Sequence, residues 1–555
     1  MSQHSPLHRL RELVHIERED IGTLLAYGIG IGLMSLAMPV AVQALVNTIA
    51  FGALLQPLIV LTLILLVLLS FSNTLVALQF YVVEMLQRRL FVRLFGEAAN
   101  RLQRASISVR DRQYLPELAN RFFDVVSLQK TAASLLLETL GYVMQTLIGM
   151  ILLAFYHPIL LAFDLFLIAS LYVILFVMGK RGIPTVIEQS RAKYVAAAWL
   201  ESIAANPLLG KSQQGAAFVH QHTERIAQDY LQASKRHFDV LSKQNIGALT
   251  LHTLANTALL GMGGWMVIER QLSLGQLIAA ELVVNAMVYG LTRLGKTLDN
   301  FYELLASLDK IGYLIDLSQE RDAGSVPKPQ STAFKLEIRQ LSIAEAPQHD
   351  RFDGIDLQLA AGSSLAISAG CEHGTLLDVL YGLRAPNTGQ ILLDDQDLRD
   401  LKLGAIRDHI ALLRHAEVLE LSISDNLSLG RASSLAEIRT ALDRVGLLDA
   451  VSALPEGLNT RLSLHGAPLS HEQCLRLTMA RAFAAKPRLL LIDQLLDRLD
   501  PRCLPRILDT LFNADAPWTS LIITHEPSLI ERCHEHRQLK DGRWVIINNP
   551  TGATS

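Results

Sequence analysis

Long uncharged runs dominate the first half of the 555-residue chain. No Asp, Glu, Lys or Arg occurs from Ile21 to Val83, and other uncharged runs cover Thr139–Phe163 and Gln244–Ile268. Because about 20 apolar residues cross a bilayer as a helix, the first run has room for two spans and a turn. The pattern predicts six transmembrane helices, at about 21–49, 57–84, 139–156, 158–179, 244–268 and 273–292.

Charge in the connections predicts how these helices are oriented. The connections between helices 2 and 3 and between helices 4 and 5 are rich in Arg and Lys, whereas the 1–2 and 3–4 turns contain neither. Since positive loops stay in the cytoplasm, both long connections and both termini are expected there. Both connections keep a helical apolar rhythm and are predicted to be helices that continue out of the membrane. Residues 1–20 form an amphipathic segment suited to the membrane interface.

The pattern changes in the second half of the chain. Residues 317–333 form a polar linker with Pro327 and Pro329, which separates the membrane domain at 21–316 from a second domain. Over 334–546, short apolar runs alternate with helical patterns, as in an α/β domain with buried strands. Residues 547–555 are predicted to be a flexible tail. The strand candidates are Leu365–Ile367, Ile391–Leu393, Ile410–Leu413, Leu489–Ile492 and Leu521–Thr524.

Composition excludes several classes of protein. Charged residues make up 19% of the chain, below the roughly 25% of soluble domains, and the net charge of −3 gives no footprint for nucleic acid. The four cysteines form no CxxC pair, so we expect free, reduced thiols and no metal site from them.

Three segments of the second half resemble an ATP-binding cassette. Leu454–Pro501 is similar to the block from the signature to the Walker B strand, "TSLIITHEPSLIERC" to the switch-histidine strand, and "LYGLRAPNTGQILLDDQDLRDL" to the segment after the P-loop. With six helices in front, the chain resembles a half-transporter of the ABC exporter type. Its transmembrane part, especially Leu272–Ile311, resembles the type I secretion branch. The resemblance implies a polytopic α-helical membrane domain fused to an α/β nucleotide-binding domain.

The resemblance also shows where the P-loop departs from GxxxxGK[ST]. Aligned on the following "TLL", the segment is about two residues short, and it holds Gly370, Glu372, His373, Gly374 and Thr375. His373 falls where the family has Lys, and a mostly neutral imidazole cannot replace a permanent ammonium beside phosphate. One charge-assisted contact contributes about 1.5–3 kcal/mol. Weak binding of ATP is therefore expected, with any Mg²⁺ held through Thr375 and Asp493.

Other motif positions also depart from the family pattern in ways that disfavour ATP binding or hydrolysis. Gln494 follows Asp493 where the family has a catalytic Glu, and an amide cannot accept a proton from water. The position of the family's coupling glutamine is His415, and Glu472 replaces the second glycine of the signature. The predicted nucleotide site includes three further groups of family positions. They are the signature residues Ser470, His471, Glu472 and Gln473, the D-loop residue Asp500 and the switch residue His525.

Two of these positions have an alternative interpretation that the sequence leaves open. Asp493 is either a nucleotide-site residue or a satisfied carboxylate at the end of a strand. His525 is either the switch residue or a buried, hydrogen-bonded histidine.

Two acidic residues lie within the predicted spans. Glu281 is about 15 Å inside the outer end of helix 6, near the middle of the bilayer, where an ionisable group faces either a substrate path or another helix. Asp164 is only about six residues from the outer turn of helix 4. We expect Asp164 to reach the membrane interface.

Two functions fit these observations. The first is a membrane subunit of an exporter for peptide, protein or other large cargo, with a hydrolysis-deficient cassette. It would work in the inner membrane as a heterodimer or homodimer of halves, with a periplasmic adaptor and an outer-membrane channel as further partners. The second is a non-transporting scaffold or regulator of the same fold.

Overall fold

The chain forms a helical unit, Met1–Gln319, followed by an α/β unit, Glu320–Ser555. In this computed structural model, residues 5–50, 55–112, 115–328, 332–343, 352–369, 374–540 and 543–546 are described. The P-loop positions Gly370 and His373, with Glu372 between them, lie outside the described residues. So do Pro329 of the predicted linker and the predicted tail.

The helical unit consists of thirteen described α-helices, and short 3₁₀ or π segments join some of them. The helices are α1 Pro6–Ile16, α2 Arg18–Ser35, α3 Ala37–Ala50, α4 Leu55–Gln103, α5 Ile107–Arg112, α6 Leu115–Asn120, α7 Asp124–Ser134, α8 Leu140–Tyr156, α9 Pro158–Tyr172, α10 Gly182–Ala205, α11 Gln213–Ile268, α12 Leu274–Thr292 and α13 Leu294–Ile315.

Five helical segments within the described part of the chain are long and apolar enough to cross a membrane. They are Arg18–Thr48, Leu58–Gln103, Leu115–Tyr156, Pro158–Met178 and Leu274–Thr292. The remaining predicted span, 244–268, forms the last part of α11 but is not among the five. Polar side chains such as His252 and Asn256, which contact each other at 3.4 Å, reduce its hydropathy.

Two helices are much longer than a bilayer is thick. α4 has 49 residues and α11 has 56, which at 1.5 Å per residue is about 74 Å and 84 Å. The hydrocarbon core of a membrane is about 30 Å thick. The charged connections are therefore helical continuations of the spans, as their apolar rhythm predicts.

The α/β unit contains the predicted buried strands, each at its expected place. Its described strands are β1 Leu336–Ile343, β2 Phe352–Leu359, β3 Ser364–Ala369, β4 Thr388–Leu393, β5 Gln396–Asp397, β6 Ile410–Leu413, β7 Leu489–Asp493, β8 Thr519–Ile523, β9 Glu535–Lys540 and β10 Arg543–Ile546. Its described helices are α14 Gly374–Leu380, α15 Leu403–Arg407, α16 Ile423–Ser428, α17 Leu435–Arg444, α18 Leu448–Ser452, α19 His471–Ala485, α20 Leu504–Leu511 and α21 Pro527–Arg532.

These strands form two sheets. An antiparallel sheet has the order β2-β1-β4-β5, and a mainly parallel sheet has the order β10-β9-β3-β8-β7-β6. Strands β9, β3, β8, β7 and β6 are parallel, and β10 pairs antiparallel with β9. The central strands β7 and β8 are almost continuously apolar and buried because both of their faces are covered. Leu490 and Ile522 pack into a core with α19 and α20, whereas Leu491 and Leu521 share a core with the antiparallel sheet.

Candidate functional site

The described residues of the predicted nucleotide site lie at one edge of the parallel sheet. Strands β3, β8, β7 and β6 are neighbours, and the carboxyl ends of parallel strands lie at the same edge, where α/β sheets bind ligands. β6 is followed by Arg414 and His415, β7 ends in Asp493, and β8 is followed by His525. Gly374 begins α14, which follows β3.

An arginine that the motif comparison does not single out joins three of these elements. The Arg414 Nε atom donates to Asp493 Oδ2 at 2.6 Å, and its Nη2 atom donates to the Gly374 carbonyl at 2.9 Å. Its Nη1 atom donates to Asp378 Oδ1 on α14, also at 2.9 Å. Sequence reasoning missed Arg414, although a charged residue directly after the buried strand β6 was a signal.

The ion pairs continue beyond Arg414. Asp378 Oδ2 accepts from Arg384 Nε at 3.1 Å, so four side chains alternate in charge in the order Arg384, Asp378, Arg414, Asp493. The side chains of the two aspartates are 7% and 12% exposed, and that of Arg414 is 27% exposed. Burial opposes the charged guanidinium, but Asp378 and Asp493 attract it more strongly and raise the pKa of Arg414. Asp493 thus has a charged partner within the chain, as its interpretation as a satisfied strand-end carboxylate expects.

Gly374 lies directly beside the Arg414 guanidinium. A Cβ atom at this position would lie 3.5 Å from Arg414 Nη2 and 3.6 Å from Asp493 Oδ2, in van der Waals contact with both. A longer side chain would meet the arginine. Thr375, the next residue and the other predicted metal ligand, is buried in α14.

Gln494 stands in a strained backbone position after β7. Its φ of 51° lies in the left-handed region, which costs a residue with a Cβ atom about 1–2 kcal/mol. Its N–H donates to the Ile523 carbonyl at 3.0 Å and so ties the end of β7 to that of β8. Gln494 therefore sits beside Asp493 as an amide, with no carboxylate at this position.

The turn after β8 is held by an acid that sequence reasoning missed. Asp497, in the 3₁₀ turn after β7, accepts from the His525 N–H at 3.0 Å and also from the Thr524 hydroxyl. The His525 side chain is exposed, so its interpretation as a buried, hydrogen-bonded histidine is wrong. His415 is partly exposed, and its Nε2 atom lies 3.7 Å from Glu417 Oε1.

The signature residues form the start of α19. Ser470 is the N-cap, and it exchanges hydrogen bonds with Gln473 in a capping box, at 3.2 Å and 2.8 Å. His471 is exposed. Glu472 accepts from Arg476 at 2.8 Å, so its negative charge already has a partner within the chain.

Asp500, at the D-loop position, binds its own loop. It accepts from the Arg502 backbone N–H at 2.9 Å and from the Arg502 guanidinium at 3.2 Å. The backbone bond first, and then the guanidinium, hold the pKa of Asp500 below its usual range.

The two membrane acids are found in opposite environments. Glu281 is exposed on α12. Asp164 is 2% exposed, and neither carboxylate oxygen has a hydrogen-bond partner among the described residues. The expectation that Asp164 reaches the membrane interface is therefore wrong. It shares a face of α9 with Leu160 and Leu167, which pack into the helical core, so the helix carries it inward.

Asp164 lines a largely apolar cavity of about 590 Å³ within the helical unit. Thr146, Met150, Leu251 and Met287 also line it, so that α8, α9, α11 and α12 all contribute.

The chain matches two protein families in succession. Residues 21–290 match the ABC transporter transmembrane region, and residues 352–496 match the ABC transporter cassette. The second match implies an ATP-binding domain that uses Mg²⁺.

Two curated relatives illustrate the similarity in sequence. ATP-binding cassette sub-family B member 5 of Homo sapiens is 31% identical over 268 residues, which are 45% of this chain and 21% of that protein. The ATP-dependent lipid A-core flippase of Thiobacillus denitrificans is 30% identical over 279 residues, 49% of this chain and 48% of the flippase. The matched part thus spans about a fifth and about half of these relatives.

The fold is shared with a solved structure over nearly its whole length. A bacterial Atm1-family ABC exporter with ATP bound superposes with a TM-score of 0.83 and 19% identity, covering 96% of this chain and 95% of that one. The predicted fold class is therefore confirmed: a helical exporter domain with several membrane-spanning segments is fused to an α/β nucleotide-binding domain. In its domain organisation, the chain is an ABC exporter half-transporter.

Proposed function

We propose that the chain is a membrane subunit of an ABC-type exporter whose own cassette is impaired in binding and hydrolysing ATP. The observation that carries this proposal is the end of β7, where Asp493 pairs with Arg414 and Gln494 stands in place of an acid. A general base must take a proton from the attacking water, and an amide does not do so. His373 at the lysine position and Glu372 within the P-loop support weak binding of ATP.

The functional unit in this proposal is a dimer of halves, with a heterodimer favoured over a homodimer. A homodimer would have Gln494 and the Glu472 signature in both nucleotide sites. A partner with an intact P-loop and catalytic Glu would restore one site. The cargo is a peptide, protein or other large molecule, with Glu281 on its path through the membrane. A periplasmic adaptor and an outer-membrane channel complete the export route.

The proposed location is the inner membrane, with both termini in the cytoplasm. Its support is the excess of Arg and Lys in the long connections, together with their absence from the 1–2 and 3–4 turns.

Turnover of the purified full chain in lipid nanodiscs tests the proposal. The chain alone should hydrolyse ATP no faster than background. Gln494→Glu supplies a carboxylate at the position of the general base, and it should raise the rate of hydrolysis if the nucleotide site of the variant binds ATP. Asn513→Asp is the matched control, because it makes the same amide-to-acid change in an exposed turn where the side-chain oxygen keeps its bond to the Asp515 N–H. Vanadate-sensitive turnover of the wild-type chain near or above about 1 s⁻¹, an ordinary enzyme rate, would contradict the proposal.

The dimer and the export role need a separate experiment. Co-expression with the candidate partner half should yield a stable complex that hydrolyses ATP and moves cargo. A complex that forms but never transports cargo would favour the scaffold or regulator. The pairing of Asp493 with Arg414 supports the scaffold or regulator. It neutralises the carboxylate at the end of β7 without a bound nucleotide, so the cassette can keep its fold when no nucleotide binds.

A further inference from the structure

The family holds Mg²⁺ between two groups whose counterparts are both described in this chain. These groups are the hydroxyl of the Ser or Thr that follows the P-loop lysine, and the carboxylate of the Walker B aspartate. With His373 at the lysine position, the corresponding residues are Gly374 and Asp493. Thr375, predicted above as the metal ligand, comes one position later and is buried in α14, so that assignment is corrected.

The residues present do not fit a magnesium ion. Mg²⁺ requires near-octahedral oxygen ligands at about 2.0–2.1 Å. Gly374 has no hydroxyl to offer, and its carbonyl accepts from Arg414 Nη2. Asp493 Oδ2 accepts from Arg414 Nε at 2.6 Å. The guanidinium thus lies between the two groups that the ion would join.

The balance of charges around Arg414 also argues against a magnesium ion at this site. Arg384, Asp378, Arg414 and Asp493 contribute two positive and two negative charges in alternation, with contacts of 2.6–3.1 Å. A divalent cation would have to displace the guanidinium or approach it as a like charge, and the guanidinium is held by two carboxylates and a carbonyl. Like charges in such a partly buried site repel strongly.

We infer that Arg414 is a built-in cation that takes the place of Mg²⁺, so that the cassette binds nucleotide, if at all, without the metal. Gly374 brings no hydroxyl to compete with this cation for Asp493. The inference rests on the proposed impairment of the cassette and gives a physical cause for it: the carboxylate at the end of β7 is already paired within the chain.

The test measures thermal unfolding of the full chain in nanodiscs with millimolar ATP, in EDTA and in excess Mg²⁺. Mn²⁺ replaces Mg²⁺ in a parallel series, in which electron paramagnetic resonance reports protein-bound metal. The wild-type unfolding midpoint should be the same in both buffers, and no ATP-dependent bound Mn²⁺ should appear.

Variants restore the metal site in steps. Arg414→Ala with Gly374→Ser removes the guanidinium and supplies a hydroxyl. It should lower the midpoint in EDTA and gain about 3 °C or more with Mg²⁺ and ATP, a shift that a bound ligand readily produces in a domain of this size. Arg414→Lys keeps a cation, so its midpoint should remain insensitive to Mg²⁺. Arg399→Ala, which removes a largely exposed arginine paired with Asp397, is the control and should behave as wild type.

The outcomes separate this inference from the proposed function. Weak ATP binding that depends on Mg²⁺ in the wild type would overturn the built-in cation but leave the impaired cassette standing. Tight binding of Mg²⁺–ATP with turnover would overturn both. If the wild type shows no effect of ATP in either buffer, the double variant decides: an Mg²⁺-dependent shift supports the inference, and its absence in a folded variant overturns it. If the double variant does not fold, the bound-Mn²⁺ signal of the wild type and of Arg414→Lys decides: no signal supports the inference, and an ATP-dependent signal overturns it.

Discussion

Glu472 Oε2 accepts a hydrogen bond from Arg476 Nη2 at 2.8 Å, one turn further along the signature helix α19. Arg476 also donates to the Gly446 carbonyl at 2.8 Å, and its side chain is 9% exposed. The negative charge that replaces a signature glycine is therefore partly compensated inside the chain. In a dimer, it would disturb a partner's nucleotide less than a lone carboxylate would.

The pairing of Glu472 with Arg476 limits the change in ATP turnover that we expect from substitutions at Glu472. In a complex with a hydrolysing partner half, Glu472→Gly should speed ATP turnover by less than about tenfold, because Arg476 already offsets part of the charge and leaves an effect below about 1.4 kcal/mol. Glu472→Gln, which removes the charge and keeps the side chain's length, is the matched variant and should also speed turnover. Steady-state hydrolysis by the purified complex provides the measurement. An unchanged rate in both variants would show that electrostatics at this position does not limit the motor.

The ion pairs around Arg414 should be strongly coupled in their effect on stability. Asp378→Asn leaves two arginines facing an amide, and it should reduce the stability of the chain by about 3 kcal/mol, as for other largely buried pairs. Once Arg414→Gln has been introduced, the same change should cost clearly less, with a coupling of about 0.5–3 kcal/mol. Thermal unfolding of the four members of this mutant cycle gives the coupling.

Asp509→Asn is the control for that cycle. Its partner Arg532 is 45% exposed and Asp509 is 73% exposed, so their pair should contribute little. Additive effects of Asp378→Asn and Arg414→Gln would mean that the bridge between β6 and α14 does not form.

The cysteines should differ in reactivity by their burial. Burial raises the pKa of the Cys533 thiol to about 12 and also raises the pKa of Cys474. Since the thiolate is the reactive form, a maleimide at pH 7 should label neither residue in the folded chain. It should label Cys503, which is only partly buried. Peptide mass spectrometry before and after denaturation checks this, and labelling of native Cys533 would contradict the burial.

The elements of this fold were predictable because their signals are local. Strand β7 is a run of apolar residues that ends in an acid. The P-loop, signature and switch positions follow from motifs of a few residues each. Such patterns indicate the order of elements in the cassette and the strand ends at which a nucleotide site is expected.

The contacts that decide the chemistry were not predictable in this way. Arg414 is 36 residues from Asp378 and 79 from Asp493 along the chain. The pairing of β6 with β7 brings it to Asp493, and the position of α14 brings it to Asp378. The inward turn of Asp164 depends on which face of α9 packs against its neighbours, and an almost uniformly apolar helix shows no such face in its sequence. The contacts of Arg414 and the burial of Asp164 could therefore be recognised only in the tertiary structure.

Acid should weaken the cassette through His536. Its Nε2 atom lies 2.9 Å from the Ser368 hydroxyl on β3, and burial lowers the pKa of His536. Above the unfolded pKa of about 6.5, both states are neutral here and the histidine adds no pH dependence. Below that value the unfolded chain takes up a proton that the folded chain resists, so stability falls as the pH is lowered towards the folded pKa.

His536→Gln tests this effect by replacing the imidazole with an amide of similar reach that does not titrate. Unfolding midpoints between pH 7.5 and pH 5 should fall less steeply for the variant than for the wild type. His525→Gln, at an exposed histidine, should leave the wild-type slope unchanged. Identical slopes for the wild type and His536→Gln would contradict the assignment.

Asp164 should trade stability for function. A buried carboxylate without a partner costs free energy, and neutral Asn keeps its shape while carrying no charge. Asp164→Asn should therefore raise the thermal unfolding midpoint of the chain in nanodiscs, by the equivalent of about 2 kcal/mol. Glu281→Gln, an acid-to-amide change at an exposed position of α12, should leave the midpoint where it is. If Asp164→Asn instead lowers the midpoint, then Asp164 has a stabilising partner in the membrane. If it raises the midpoint and also reduces cargo transport by the assembled exporter, the carboxylate is kept for its action on cargo, and the cavity that it lines is part of the transport path.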